Sequence, residues 1–346
     1  MQSQQRVHLN GFDWLRAFMP WLVVMWHMST FGVSQVYSPN VGNYKINAPD
    51  VIIFQSIVLT VPVFIMMSSF LMARSTTDWS KTSKRVIRLA LLALFWTFML
   101  TVWKGGFEQI KRLVPHSATE LVIKILSANG EFYYFFNALI FCTLGIYLIS
   151  RLPTKWILVG LAASVALMFF LPQITLATRA TVLLAYWNPL NFLPYPFFAV
   201  SLVRLQEHLI SDRKKWLMVI LALLALGSAS LWYEWTFYVN PMFYPGNEIS
   251  FPLLMRASLV LYAAAIVIFA MWPWGTAPAA IRFMSRHSLG LFVLHAFLRP
   301  IVVQNVPLLW FPSPEVGRLA QTFLVIALCY VLSMIAPLFL KDDLVR

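Results

Sequence analysis

LNGFDWLRAFMPWLVVMWHMSTFG, residues 9–32, is an apolar stretch of membrane-spanning length that contains two costly side chains, Arg16 and His27. An α-helix makes almost three turns between them, so both side chains project from nearly the same face, with Cα atoms roughly 16 Å apart. Charged and titratable side chains are rare in hydrocarbon unless they have a partner or a function. We therefore expect Arg16 and His27 to mark two positions along one buried path.

The composition is that of a polytopic helical membrane protein. Hydrophobic residues make up 60% of the 346 residues and charged residues only 11%, whereas soluble domains carry about a quarter charged residues. The net charge of +13 is spread thinly between apolar runs, so we interpret the cations as topology signals and phosphate contacts, and we expect no nucleic acid as partner. Cys142 and Cys329 lie within apolar runs and suggest no disulfide framework, and no spacing of His, Cys and carboxylates indicates a metal site.

Ten apolar windows of spanning length predict an all-α transmembrane bundle in the lipid bilayer. Lys and Arg are more numerous on the side that holds the N-terminus, which places both termini in the cytoplasm. We expect the first window to be a span rather than a cleaved leader, and residues 1–346 to form a single integral-membrane domain. The windows are 13–33, 51–73, 86–104, 132–150, 155–172, 190–205, 215–233, 254–272, 287–304 and 318–340.

Two connections on the predicted outer side are longer than turns. Residues 105–131 contain a short amphipathic stretch, ATELVIKIL, which we interpret as a re-entrant or interfacial helix. Residues 234–253 are rich in aromatic residues, Pro and Asn. They fit either an aromatic belt at the membrane interface or a platform on which a sugar stacks. Glu234, at the start of this segment, and Arg256, three residues beyond its end, are expected to form an outer pair.

Several stretches, taken in order, resemble the acyltransferase-3 family of membrane acyltransferases. The first is Asp13-Trp-Leu-Arg16 with its spacing to His27, and the second is VPVFIMMSSFLMAR (61–74), which is similar to a family run ending in Ser-Gly-Phe-Leu. Ser69 stands where glycine is usual in that run. The remaining stretches are KTSKRVIRLALLALFW (81–96), FYYFFNALIFCTLGIYL (132–148) and SRHSLGLFVLHAFLRP (285–300). Together these pieces cover most of the chain.

This resemblance implies transfer of an acyl group, usually acetyl, from cytoplasmic acyl-coenzyme A to a hydroxyl of an envelope or exported glycan or of a lipid-linked sugar. It implies a multi-pass protein of the bacterial cytoplasmic (inner) membrane, with acyl-coenzyme A as co-substrate and no permanently bound cofactor. A succinyl donor or an amine acceptor are alternatives within the family. The alternative outside it is a secondary transporter or flippase, in which Arg16, His27 and His295 would line a permeation path.

His27 is the residue to which we assign the chemistry, with Arg16 as its catalytic partner. A neutral imidazole can take a proton from an attacking hydroxyl, or it can accept the acyl group itself in a two-step transfer. Arg16 lies three residues after Asp13, close enough for a structural ion pair. Its planar guanidinium can also hold a phosphate or orient the thioester arm. Pro20 leaves the carbonyl of Arg16 without its helical donor and favours a bend between the two residues.

The other candidates are assigned by the side of the membrane on which they are expected. Cations at the cytoplasmic mouth of the second and third spans match the phosphates of coenzyme A, although the charge rule for topology explains them equally well. Ser288 and His295 are seven residues apart and share a face of the ninth span. The predicted donor-binding residues are Arg74, Lys84, Arg85, Arg88, Ser68 and Ser69, and the predicted acceptor-binding or cavity-lining residues are Glu131, Asn137, Ser288 and His295.

Overall fold

The computed structural model confirms the all-α class. It describes residues 9–32, 48–75, 78–128, 132–210, 212–238, 254 and 256–340, and no β-strand occurs among them. The helices are α1 (Asn10–His27), α2 (Ala48–Val58), α3 (Thr60–Ser75), α4 (Trp79–Gly105), α5 (Ala118–Ser127), α6 (Tyr134–Ile149), α7 (Thr154–Thr178), α8 (Pro194–Ile210), α9 (Arg213–Tyr238), α10 (Ala257–Ala270), α11 (Ala279–Arg286), α12 (Ser288–Asn305) and α13 (Pro314–Ile335). Short 3-10 turns join several of them.

Six helical stretches in the described residues are long and apolar enough to cross a membrane. They are Pro49–Ser75, which contains α2 and α3, and the helices α4, α7, α9, α12 and α13. Each of the ten predicted windows overlaps a helix, and α6 and α10 are shorter apolar helices. The chain is therefore a multi-pass membrane protein, while the count of ten spans and the side of each terminus remain predictions.

Helix α1 lies at the centre of the bundle and packs against α2, α3, α10, α11, α12 and α13. Gly11 lets it approach α10 closely, because a Cβ at this position would clash with the carbonyl oxygen of Ala270. Its far end is fixed to α13, where the Arg318 guanidinium donates a hydrogen bond of 3.2 Å to the carbonyl of Ser29. A helix with this many protein neighbours can hold polar side chains that a lipid-facing helix cannot.

Helix α5 forms within the segment predicted to be re-entrant or interfacial. Ser117 caps it by accepting a hydrogen bond of 3.1 Å from the Glu120 backbone N–H. Glu120 forms an ion pair with Lys124 at 2.7 Å, and the hydrogen bond from Lys124 lowers the pKa of this carboxyl. Large apolar side chains on the helix are exposed, namely Leu121, Val122, Ile123 and Ile125. The helix is therefore amphipathic, as predicted, and its placement at the membrane surface remains a prediction.

Glu234 and Arg256 form the ion pair expected from the sequence, and the pair is buried. Their Oε2 and Nη1 atoms are 3.9 Å apart, and the residues are 3% and 1% exposed. Arg256 also donates a hydrogen bond of 2.7 Å to Gln55 of α2, and Ser258 donates both its backbone N–H and its hydroxyl to Glu234. We call these four residues the Glu234–Arg256 cluster. It connects α2, α9 and α10 through buried polar contacts.

Candidate active site

A cavity of about 310 Å³ lies at the C-terminal end of α1, with His27 in its wall. Its polar lining residues include Thr60, Tyr134 and Tyr186, and the two tyrosine rings are inclined by 65° with centroids 4.8 Å apart. An apolar cavity with a few placed polar groups is typical of a ligand site. We call it the His27 cavity; its other walls are Val23, Trp26, Ile57, Val58, Val61, Phe132, Phe135, Leu254 and Phe292.

His27 contacts two rings. It stacks on His295, with ring centroids 5.0 Å apart and planes inclined by 21°, and its centroid is 3.9 Å from that of Phe132. His295 is fully buried, and its Nδ1 lies 3.3 Å from the carbonyl oxygen of Leu291. Its Nε2 finds no hydrogen-bond partner in the described part of the chain. Because buried polar atoms are normally paired, Nε2 of His295 keeps the capacity to form a hydrogen bond with a bound molecule.

A second cavity, of about 150 Å³, contains Arg16 in its wall together with the hydroxyls of Ser68 and Ser288. These three polar residues come from α1, α3 and α12, and the sequence predicted each of them as a site residue. We call this the Arg16 cavity; its other walls are Phe64, Met67, Phe135, Leu139, Leu289 and Phe292. Phe135 and Phe292 line both cavities, so the Arg16 cavity and the His27 cavity adjoin one another at this aromatic pair.

Positive charge is concentrated beside Ser68. The Arg85 guanidinium on α4 donates a hydrogen bond of 2.9 Å from Nη2 to the Ser68 hydroxyl. Arg85 lies close enough to Arg16 and Arg88 for their charges to repel it. Clustered cations of this kind attract anions, because an anion relieves the repulsion between them. Arg16 therefore places positive charge in the wall of the Arg16 cavity, and Arg85 places a second cation beside it.

Asp13 supports Arg16 from the same helix. Its carboxylate is 7% exposed and accepts a hydrogen bond of 2.9 Å from the Ser285 hydroxyl of α11. It also interacts electrostatically with Arg16. Asp13 thus joins α1 to α11 and places a negative charge near Arg16, while its role as a structural pair with Arg16 remains a prediction.

The sequence model of the acyltransferase-3 family, described as an acyltransferase domain, matches residues 9–340. The chain belongs to the acyltransferase-3 family. The resemblance drawn from the sequence is confirmed, and this membrane protein is an acyltransferase. No curated protein and no solved structure matches the chain.

Four other residues predicted to bind the donor do not line the Arg16 cavity. The Arg74 guanidinium lies over the ring of Phe70, 5.9 Å from its centroid. Lys84 and Arg88 are exposed, and Ser69 is buried at 2% exposure. Their role in donor binding remains a prediction.

Among the residues predicted to bind the acceptor, Asn137 has a structural role. Its amide donates hydrogen bonds of 2.5 and 3.3 Å to the carbonyls of Ile125 and Leu126, which lie at the end of α5. The last carbonyls of a helix lack partners within it, so Asn137 satisfies them and ties α5 to α6. Glu131 and most of the aromatic segment, residues 239–253, lie outside the described residues.

Some residues of the acyltransferase site were not identified from the sequence. Tyr186 lies in the connection between α7 and α8, where no motif marks it. Phe132 and Tyr134 belong to the aromatic run 132–148, whose composition was the available signal. Arg299 lies one turn beyond His295 and interacts electrostatically with both histidines of the pair, yet in sequence it resembles an ordinary terminal cation of a span.

Proposed function

We propose that this acyltransferase moves an acetyl group from acetyl-coenzyme A to a hydroxyl of an envelope or exported glycan, or of a lipid-linked sugar, in the bacterial inner membrane. One observation carries the proposal. Arg16 and His27, on a single helix, line two cavities that adjoin one another. One cavity has the charge that suits a polyanionic donor, and the other has the walls that suit a sugar.

The donor would bind at the Arg16 cavity. Coenzyme A carries several phosphate charges, and Arg85 with Arg88 offers two cations beside the polar wall formed by Ser68. Arg16 then faces the thioester arm, where its guanidinium can donate to a carbonyl or phosphate oxygen. The charge rule for topology assigns this end of the bundle to the cytoplasm, where acyl-coenzyme A is found.

The acceptor would bind in the His27 cavity. Aromatic walls pack against the C–H faces of a sugar ring, and Tyr134 and Tyr186 present hydroxyls that can bond to its own. A cavity of about 310 Å³ has the volume of a small-molecule site. Since His27 is part of the wall, a bound hydroxyl is placed beside its imidazole.

His27 would act as the general base. The acceptor oxygen attacks the thioester carbonyl carbon while its proton passes to the imidazole of His27, and the carbon–sulfur bond breaks. The proton then reaches the departing sulfur, so that coenzyme A leaves as the thiol and the glycan carries an acetyl ester. His295, stacked on His27, fixes the orientation of its ring.

The test uses the full chain in lipid nanodiscs with acetyl-coenzyme A and glycan extracted from host cells that lack the protein. We expect release of the coenzyme A thiol together with an added acetyl group on the glycan by mass spectrometry, and loss of both in His27→Ala. His116→Ala is the matched control, because His116 is exposed in the segment that precedes α5. Movement of labelled glycan without thiol release would overturn the proposal in favour of a transporter.

A second measurement distinguishes the two ways in which His27 can act. Rapid quenching with labelled acetyl-coenzyme A, in the absence of acceptor, traps label on the protein if His27 carries the acetyl group. We expect no label on His27, since a general base forms no covalent intermediate. Label that is present in the unmodified chain and absent from His27→Ala would replace direct transfer by a two-step mechanism.

A further inference from the structure

The boundary between the two cavities consists of a pair of phenylalanines on different helices. Phe135 comes from α6 and Phe292 from α12, and their ring centroids are 5.0 Å apart with the planes inclined by 53°. Each ring is part of the wall of both the Arg16 cavity and the His27 cavity. A group that passes from one cavity to the other therefore has to pass these rings.

The pair is also aligned with the polar residues at each end. On α12, Phe292 follows Ser288 by four residues and precedes His295 by three, so that all three lie on one face. The Phe292 ring is 6.1 Å from the ring of His295, centroid to centroid. Ser288 lines the Arg16 cavity, and His295 contacts His27. Phe292 thus lies midway along the route from donor to catalyst.

Neighbouring rings hold the pair in place. Phe292 is 7% exposed and packs edge-on against Phe136, with centroids 6.1 Å apart. Phe135 packs against Phe64, which also lines the Arg16 cavity, with centroids 6.2 Å apart. Rings packed in this way resist displacement, and displacing them costs more for every added methylene of the group that passes.

We infer that Phe135 and Phe292 form a partition that selects the acyl group by size and separates the thioester from water of the His27 cavity. The inference rests on the proposed function, since it takes the Arg16 cavity as the donor side. An acetyl group displaces the two rings least, whereas a butyryl group has two more methylenes to bring past them. Phe135 and Phe292 position the acyl group and select it by size, whereas His27 is the residue that takes part in the reaction.

Two substitutions widen the partition, Phe135→Leu and Phe292→Leu. We expect each to raise kcat/KM for butyryl-coenzyme A relative to acetyl-coenzyme A by about tenfold, the size of effect that a methylene or two produces in a fitted pocket. Hydrolysis should rise as well: a water oxygen bonds to the carbonyl carbon, the carbon–sulfur bond breaks, and acetate and coenzyme A thiol are released without acceptor. A substitution that only loosens the helix bundle lowers the activity with both donors. It does not raise kcat/KM for butyryl-coenzyme A relative to acetyl-coenzyme A.

Phe198→Leu is the matched control, because Phe198 is also a buried phenylalanine, at 8% exposure, and lines neither cavity. It should leave both the donor ratio and the ratio of hydrolysis to transfer as in the unmodified chain. If the leucine variants fail to fold, Phe135→Trp keeps the test decisive, since a larger ring should lower the use of butyryl-coenzyme A relative to acetyl-coenzyme A.

The assay supplies acetyl- or butyryl-coenzyme A to the full chain in nanodiscs, with and without glycan extract from cells that lack the protein. Altered ratios in the Phe135 and Phe292 variants alone support the partition. Unaltered ratios in an unmodified chain that transfers acetyl overturn the partition and leave the proposed function standing. No transfer by the unmodified chain overturns the proposed function, and the partition with it.

Discussion

The bundle contains two buried polar clusters of different character, the His27–His295 pair and the Glu234–Arg256 cluster. The first adjoins a cavity of about 310 Å³ and leaves Nε2 of His295 without a hydrogen-bond partner in the described residues. In the second, both carboxylate oxygens of Glu234 accept hydrogen bonds from Ser258, and Arg256 is 1% exposed. Both clusters place costly groups inside an apolar bundle, yet only the first is open to a ligand.

This difference separates two reasons for polar residues in a membrane protein. A cluster of buried charges that lines neither cavity connects helices, and removing one member leaves the other charge buried and uncompensated. An open pair beside a cavity can exchange protons with a bound molecule, at the expense of an unsatisfied atom. The predictions below test this assignment, beginning with the largest expected effect.

His27→Ala should lower kcat by about 10³-fold, or about 4 kcal/mol of transition-state stabilisation. The variant should reach the membrane and unfold at nearly the same temperature, because alanine is easily accommodated in an apolar helix. Steady-state kinetics and thermal unfolding in nanodiscs measure the two effects. A large loss of thermal stability with kcat per folded molecule intact would place the His27–His295 pair with the connecting clusters instead.

Glu234→Ala should show the opposite pattern, with a loss of about 3 kcal/mol in stability and normal kcat in the molecules that fold. The matched control is Glu108→Ala, which removes an ion pair with Lys111 whose side chains are 82% and 80% exposed. Such an exposed pair is worth less than about 1 kcal/mol. Thermal unfolding compares the two variants. Equal stability in both would mean that the Glu234–Arg256 cluster does not hold the helices together.

Arg16→Lys should lower kcat/KM by roughly tenfold or more while keeping the positive charge. Lysine lacks the planar fork with which a guanidinium holds a phosphate or a carbonyl. The comparison is with Asp13→Asn, which removes the electrostatic support of Arg16 but keeps its fork. Donor kinetics near normal in Arg16→Lys, together with poor membrane insertion, would indicate that Arg16 serves as the ion-pair partner of Asp13 alone.

Replacing Arg85 and Arg88 together by Ala should raise the KM for acetyl-coenzyme A by about tenfold and change kcat little. Contacts remote from the thioester stabilise the ground state and the transition state alike. The part of the effect that comes from Arg88 should weaken in high salt, since Arg88 is exposed and charges near water are screened within about 8 Å. Titration of the donor against the purified double variant measures the KM.

Arg204→Ala is the control for that double variant. Arg204 donates hydrogen bonds of 2.7 Å to the Ser150 carbonyl and 3.0 Å to the Thr154 hydroxyl, and so holds helices together. Its loss should affect stability and leave the donor KM as it is. An unchanged KM in the double variant would move the donor site along the same face to residues 213–215.

The positions of the helices were predictable because a bilayer requires long apolar runs whose backbone groups are satisfied within the helix. Which helices touch was less predictable, since apolar residues that face lipid resemble those that face protein. The approach of His27 to His295 joins positions far apart in the chain. The sequence marks both histidines as rare polar residues inside spans, but no local pattern predicts that their rings stack.

The charged and polar residues of the Arg16 cavity were predictable, and the aromatic residues that line the two cavities were not. Arg16, Ser68 and Ser288 stand out in apolar sequence, and the structure brings them to one cavity. Phe135 and Phe292 carry no such signal among the many aromatic side chains of the chain. Their importance depends on which two helices meet, and that arises from tertiary packing rather than from any local pattern.

Because one helix carries both Arg16 and His27, the distance between the donor contact and the general base of the proposed reaction is fixed by the helix. A residue inserted between them would turn His27 by about 100° and move it by about 1.5 Å, away from His295 and out of line with the donor. A substitution in the same stretch leaves this register intact. The reaction should therefore tolerate a substitution between Arg16 and His27 better than an insertion or a deletion there.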